Sequence, residues 1–148
     1  MKTYIRYIFL PLLLMVDPLA FAQAQIGSEQ TPATQRQYNT EELQQGLSLF
    51  RKNCASCHGW DAKGTVKEWQ KRDTQGNYPP PPLNGTAHTW HHSVPVLHRT
   101  IRDGTQKLGG SMPPWGDKLS DDEILLIIQW LTSLWPDEIY ESWRRQAR

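Results

Sequence analysis

The chain has 148 residues and nearly balanced charge, with 16 Lys and Arg against 15 Asp and Glu. That length fits a single domain. No excess of positive charge points to nucleic acid, and no strong net field steers the molecule towards one class of partner.

Residues 1–24 read as a secretory signal. Lys2 and Arg6 form a positive start, residues 8–16 are an apolar run broken only by Pro11, and Ala20-Phe21-Ala22 and Ala22-Gln23-Ala24 each offer a small-x-small cleavage site. The run is shorter than the ~20 residues needed to cross a bilayer, and Asp17-Pro18 interrupts it. The expectation is a periplasmic protein with no membrane span after cleavage; an uncleaved signal acting as a membrane anchor is the alternative. Loss of Lys2, Arg6 and Asp17 leaves 14 basic and 14 acidic residues of the original 16 and 15. Residues 25–39 are rich in Gln, Thr, Ser and Ala and read as a flexible leader. About 110 residues remain to form the fold, which limits the apolar core they supply unaided.

The first predicted helix starts at Thr40, read as its N-cap, with Glu41 and Glu42 in the first turn where the helix dipole favours negative charge. Leu43, Leu47 and Phe50 recur at helical spacing. Gly46 costs about 1 kcal/mol against alanine inside a helix. It shares a face with Phe50, which marks a place where another helix can approach closely.

This helix runs into Cys54-Ala55-Ser56-Cys57-His58, which carries the only two cysteines of the chain. Two thiols three positions apart can reach the two vinyl groups on one edge of a porphyrin, and the following imidazole then lies under the ring to bind iron. The spacing therefore points to one covalently bound haem c, with Cys54 and Cys57 as attachment points and His58 as proximal iron ligand. Three other chemistries compete. A redox dithiol belongs at a strand–helix junction, and no strand-like run precedes Cys54. A structural zinc site needs a second ligand pair, for which only the irregularly spaced His88, His91 and His92 are available. A Cys54–Cys57 disulfide closes too small a loop to stabilise much. Export agrees with haem, because bacteria attach c-type haem outside the cytoplasmic membrane, and a buried haem supplies the apolar surface that the short chain lacks.

Residues 60–76 are polar, with Trp60 and Trp69 embedded. Lys63, Lys67 and Lys71, four apart among Asp61, Glu68 and Asp73, read as a solvated helical face, with a docking patch as the alternative. Residues 79–82 are four prolines on an extended path. A turn at Asn84-Gly85 leads to His88-Thr89-Trp90-His91-His92, read as a surface loop touching a haem propionate; a copper or zinc site there is the alternative. A helix is predicted from an N-cap at Ser93 through Arg102, with Pro95 in its first turn and Gly104 past its end.

Met112 is the one methionine beyond the signal, in Gly109-Gly110-Ser111-Met112-Pro113-Pro114-Trp115. A loop stiffened by two prolines can hold a thioether on iron, which makes Met112 the distal ligand; His/Met ligation raises the reduction potential. The competing reading is a methionine filling a core gap. Ser120 and Glu123 form a capping box that opens the most strongly patterned helix, through Ile124, Ile127, Ile128 and Leu131 with Trp130 among them, until Trp135-Pro136 stops it. Residues 136–148 read as a C-terminal extension able to form a short helix.

Over residues 40–135 the chain resembles the bacterial class I monohaem cytochromes c. Gly46 and Phe50 match the family's glycine and aromatic eight and four residues before the first haem cysteine, and Trp130 matches the aromatic set against that glycine. Pro82-Leu83 resembles the family's proline-leucine pair near the proximal histidine, and Met112-Pro113 its axial loop. The resemblance implies an all-α fold of three or four helices wrapped around one covalent haem. It implies that the Pro82 carbonyl accepts the Nδ1–H of His58 and raises the ligand's basicity. Residues 59–82 are longer than in the most compact members.

Two functions follow. The first is a carrier of single electrons between redox protein partners, either free or as the cytochrome subunit of an oxidoreductase. The second is a haem enzyme or gas sensor, which needs an open distal site that Met112 would close. The ligand set favours the carrier. Lys107 and Lys118, on either side of the Met112 loop, are candidates for partner docking.

Overall fold

Asn39, in extended conformation, opens the first helix by accepting the backbone N–H groups of Glu41 and Glu42 on its side chain. The cap is therefore Asn39, and Thr40 is the first residue of α1 (Thr40–Asn53). The Asn39 carboxamide oxygen satisfies two end N–H groups at once, and sequence spacing alone does not separate this cap from a Thr cap. The computed structural model describes residues 36–146, all within the compact unit Thr34–Arg148. The signal reading and most of the leader lie outside the described residues.

At Cys54 the chain bends and continues as the single turn α2 (Ala55–His58). A long irregular stretch follows, then a 3-10 turn (His88–His91), α3 (Val94–Asp103) and a second 3-10 turn (Gln106–Leu108). The last two helices are α4 (Asp121–Ser133) and α5 (Asp137–Gln146). There is no strand among the described residues, and the fold is the all-α one expected of a small cytochrome c.

The centre of the fold is the crossing of α1 and α4. A Cβ at Gly46 would stand 2.2 Å from the Leu126 carbonyl oxygen and 3.0 Å from the Trp130 Cβ, so only glycine lets the two backbones meet. One turn on, the Phe50 and Trp130 rings pack with centroids 4.6 Å apart. Phe50 and Ile124 are fully buried, and Ile127, Ile128 and Leu131 close the layer. Full burial of one such side chain is worth about 1.5–3 kcal/mol. The capping box of α4 is complete: the Ser120 hydroxyl accepts the Glu123 N–H at 3.2 Å, and the Glu123 carboxylate accepts the Ser120 N–H at 2.9 Å. α3 packs on α4 and is tied to it by His98 Nε2 and Asp121, 3.1 Å apart. Ser93 stands at the N-cap of α3, but its side chain makes no capping bond.

Residues 60–82 contain no helix, so the lysine series does not form a helical face. Turn-forming Gly64, Gly76 and the prolines break any helix there, and the exposed lysines pair locally, Lys71 with Glu68 at 2.7 Å and Lys63 with Asp61 at 3.7 Å. Residues 36–39 lie along the other end of the chain: Arg36 pairs with Asp137 at 2.6 Å and covers the Tyr140 ring. No helix of the described residues is long and apolar enough to cross a membrane.

Candidate haem site

The α1–α2 corner carries Cys54, Cys57 and His58. The Cys54 N–H donates to the Phe50 carbonyl and closes α1, while the His58 N–H returns to the Cys54 carbonyl at 2.9 Å and closes α2. A one-turn helix at this point keeps both thiols and the imidazole on a rigid frame attached to the fully buried Phe50. Both cysteines are free. Cys57 is exposed, and Cys54 is half-buried; burial, with a smaller contribution from Cys57, pushes the Cys54 thiol up to about 11.

His58 is only 9 % exposed. Its Nδ1 lies 3.1 Å from the carbonyl oxygen of Pro81. A carbonyl only accepts, so Nδ1 carries the proton and the neutral ring keeps its lone pair on Nε2. Burial pushes the imidazole below the ordinary histidine value and so favours the neutral form, against the smaller upward pull of that hydrogen bond.

The acceptor is Pro81, one residue earlier than the proline-leucine resemblance implied. On an extended proline run successive carbonyls turn away from one another. Pro82 instead takes the Thr89 hydroxyl at 3.4 Å. Leu83 has two roles: its N–H donates to the Ala62 carbonyl at 2.7 Å, and its side chain packs on the core.

Met112 sits in a loop fastened to the end of α3. Its N–H donates to the Thr105 hydroxyl at 3.0 Å, and its carbonyl accepts the Thr105 N–H at 2.9 Å. Gly104, at a φ of 70°, ends α3 and leaves room for the loop, because a Cβ there would stand 2.7 Å from the Met112 carbonyl oxygen. The Met112 side chain is half-buried and, like Cys54 and Leu83, packs against the Phe50 core cluster. Sequence reasoning named Met112 but not Thr105, whose only signal was its place directly after the helix-ending glycine.

The donor set fits a c-type haem: two unpaired thiols on one turn, a buried neutral imidazole with Nε2 left for iron, and a thioether on the same core. The histidine cluster is different. His91 stacks on Trp90 at 3.8 Å, and His88 is shared between Trp69 and His92. Among the described residues no group of three or more His, Cys, Asp or Glu is arranged to hold a metal ion, so the copper or zinc alternative finds no site.

Residues 41–131 match the family described as cytochrome c oxidase, cbb3-type, subunit III. The chain belongs to the cytochrome c family. It is 32 % identical to cytochrome c6 of Bryopsis maxima, over 56 % of this chain and 81 % of that protein. It is 30 % identical to cytochrome c-L of Methylorubrum extorquens, over 80 % of this chain and 58 % of that one. The cbb3-type cytochrome c oxidase subunit CcoP of Rhodobacter capsulatus is 32 % identical over 60 % of this chain. The chain spans 28 % of that subunit's length, so the likeness covers one domain of a larger protein. Family membership agrees with a c-type haem held by the donor set described above.

Proposed function

We propose that this cytochrome carries single electrons in the periplasm on one haem, attached through Cys54 and Cys57 and held between His58 and Met112. The observation that carries this reading is the buried His58 with Nδ1 committed to the Pro81 carbonyl, directly after two free thiols. Cys54 and Cys57 would hold the haem, each through a thioether formed by adding its S–H across one vinyl group. When bound, the haem supplies a one-electron iron couple. The protein's own part is to hold still: α2 fixes the proximal nitrogen, Thr105 fixes the backbone of Met112, and the Phe50 core excludes water. A rigid ligand frame keeps the structural change on electron gain or loss small. Redox proteins on either side are the partners, as free carriers or within an oxidase assembly like that named for CcoP.

The optical spectrum of the haem-matured protein tests this directly. A weak far-red methionine–iron band in the oxidised form, with no response of the reduced form to carbon monoxide, is the expected result. A missing band with ready carbon monoxide binding would mean an open distal position and would favour a haem enzyme or gas sensor instead. One haem per chain is checked by iron-to-protein ratio.

A further inference from the structure

Beyond the family match, which ends at residue 131, the chain adds Trp135 and α5. Both are built onto the segment that holds His58. Trp135 is 2 % exposed and its indole N–H donates to the Leu83 carbonyl at 2.8 Å. Trp143, 9 % exposed, donates to the His92 carbonyl at 2.8 Å. The two indoles meet edge to face, with centroids 5.2 Å apart. The strap between Pro81 and His92 is thus pinned near both ends by one pair of tryptophans that follow the family-model match.

We propose that Trp135 and Trp143 are positioning residues for the proximal ligand, acting through the strap to hold the Pro81 carbonyl on Nδ1 of His58. The proposal rests on the reading of His58 as iron ligand and deepens it. Its physical basis is stiffness. Pro81 and Pro82 have fixed φ angles, so a shift at Leu83 is not absorbed within the strap and moves the Pro81 carbonyl. The Leu83 N–H, bonded to the Ala62 carbonyl at 2.7 Å, holds that residue from the other side. A hydrogen bond weakens steeply as its angle and length depart from optimum. A weaker Nδ1–H bond makes the imidazole a poorer donor to iron, and ferric iron loses more from this than ferrous. Release of the strap therefore raises the reduction potential.

The test uses the haem-matured full chain and the variants Trp135→Phe and Trp143→Phe, which remove an N–H and keep a ring. The readouts are the midpoint potential and the solvent exchange of the His58 Nδ1–H proton followed by NMR. Trp135→Phe is expected to shift the ferric-to-ferrous ratio at fixed potential towards ferrous by several-fold, tenfold corresponding to about 59 mV for one electron, and to speed Nδ1–H exchange. Trp143→Phe, acting at the far end of the strap, shifts both in the same direction by less. A lower melting temperature with unchanged potential and unchanged exchange would overturn the proposal and leave the tryptophans a purely structural role. Should Trp135→Phe fail to mature with haem, Trp143→Phe decides by the same two readouts. Ligation by His58 is judged separately on the wild-type spectrum, so its failure is distinguishable from failure of the clamp.

Discussion

The α1–α4 crossing and the strap from residue 79 to residue 92, which meets His58 at the Pro81 carbonyl, are held by opposite physics. At the crossing, Gly46, Phe50, Ile124 and Trp130 gain stability by excluding water, and the geometry follows from helix shape and the absence of one Cβ. The strap has no regular structure beyond one 3-10 turn, and four of its carbonyls each accept one side-chain bond. Pro82 accepts from Thr89 within the strap, and Pro81, Leu83 and His92 from His58, Trp135 and Trp143, 23 to 52 positions away. Close packing makes the first region tolerant of surface change and intolerant of volume change. Discrete polar anchors make the second a place where single atoms adjust the ligand with little effect on the helices.

The largest effect expected on this contrast comes from removing haem altogether. A domain of about 110 residues supplies a limited apolar core of its own, so the haem-free protein should lose most of its helical circular dichroism. Native-like helicity without haem would show that the crossing stands alone. Next is Phe50→Ala, which empties a fully buried site and should cost about 3–5 kcal/mol in denaturant unfolding of the haem-matured protein. Gly46→Ala follows: it forces a Cβ onto the Leu126 carbonyl, and overpacking of this kind costs about 1–3 kcal/mol or more. A neutral result there would mean the helices slide apart without penalty.

Smaller changes sharpen the comparison. Ser120→Ala removes one half of the capping box of α4 and should lower stability by about 1 kcal/mol with the optical spectrum unchanged. Thr89→Val deletes the long 3.4 Å bond to the Pro82 carbonyl, so its stability cost should be the least, about 0.5 kcal/mol. Equal losses for Thr89→Val and Phe50→Ala would erase the distinction between the two regions.

What the amino-acid sequence determined by itself was whatever depends on local spacing. The Cys54-x-x-Cys57-His58 motif, the face shared by Gly46 and Phe50, the capping box at Ser120 and the stop at Trp135-Pro136 all express helix geometry or porphyrin geometry within a few residues. The short helix that the extension after Pro136 was able to form is present as α5. Local chemistry misled where two neighbours carry the same groups. Asn39 and Thr40 both cap helices, Pro81 and Pro82 both offer a carbonyl, and only the path of the chain chooses between them. The lysine series at 63, 67 and 71 has helical spacing but lies among residues that turn, and without a buried face no helix forms.

The tertiary structure alone decided the long-range polar contacts. An indole N–H has no sequence signature for its acceptor, so nothing local ties Trp135 to Leu83 or Trp143 to His92, 52 and 51 positions away. The same holds for Thr105, whose two bonds to Met112 exist because Gly104 lets the chain double back. Apolar periodicity encodes which face is buried; the partner of a single buried polar atom is fixed only when the whole chain has closed around it.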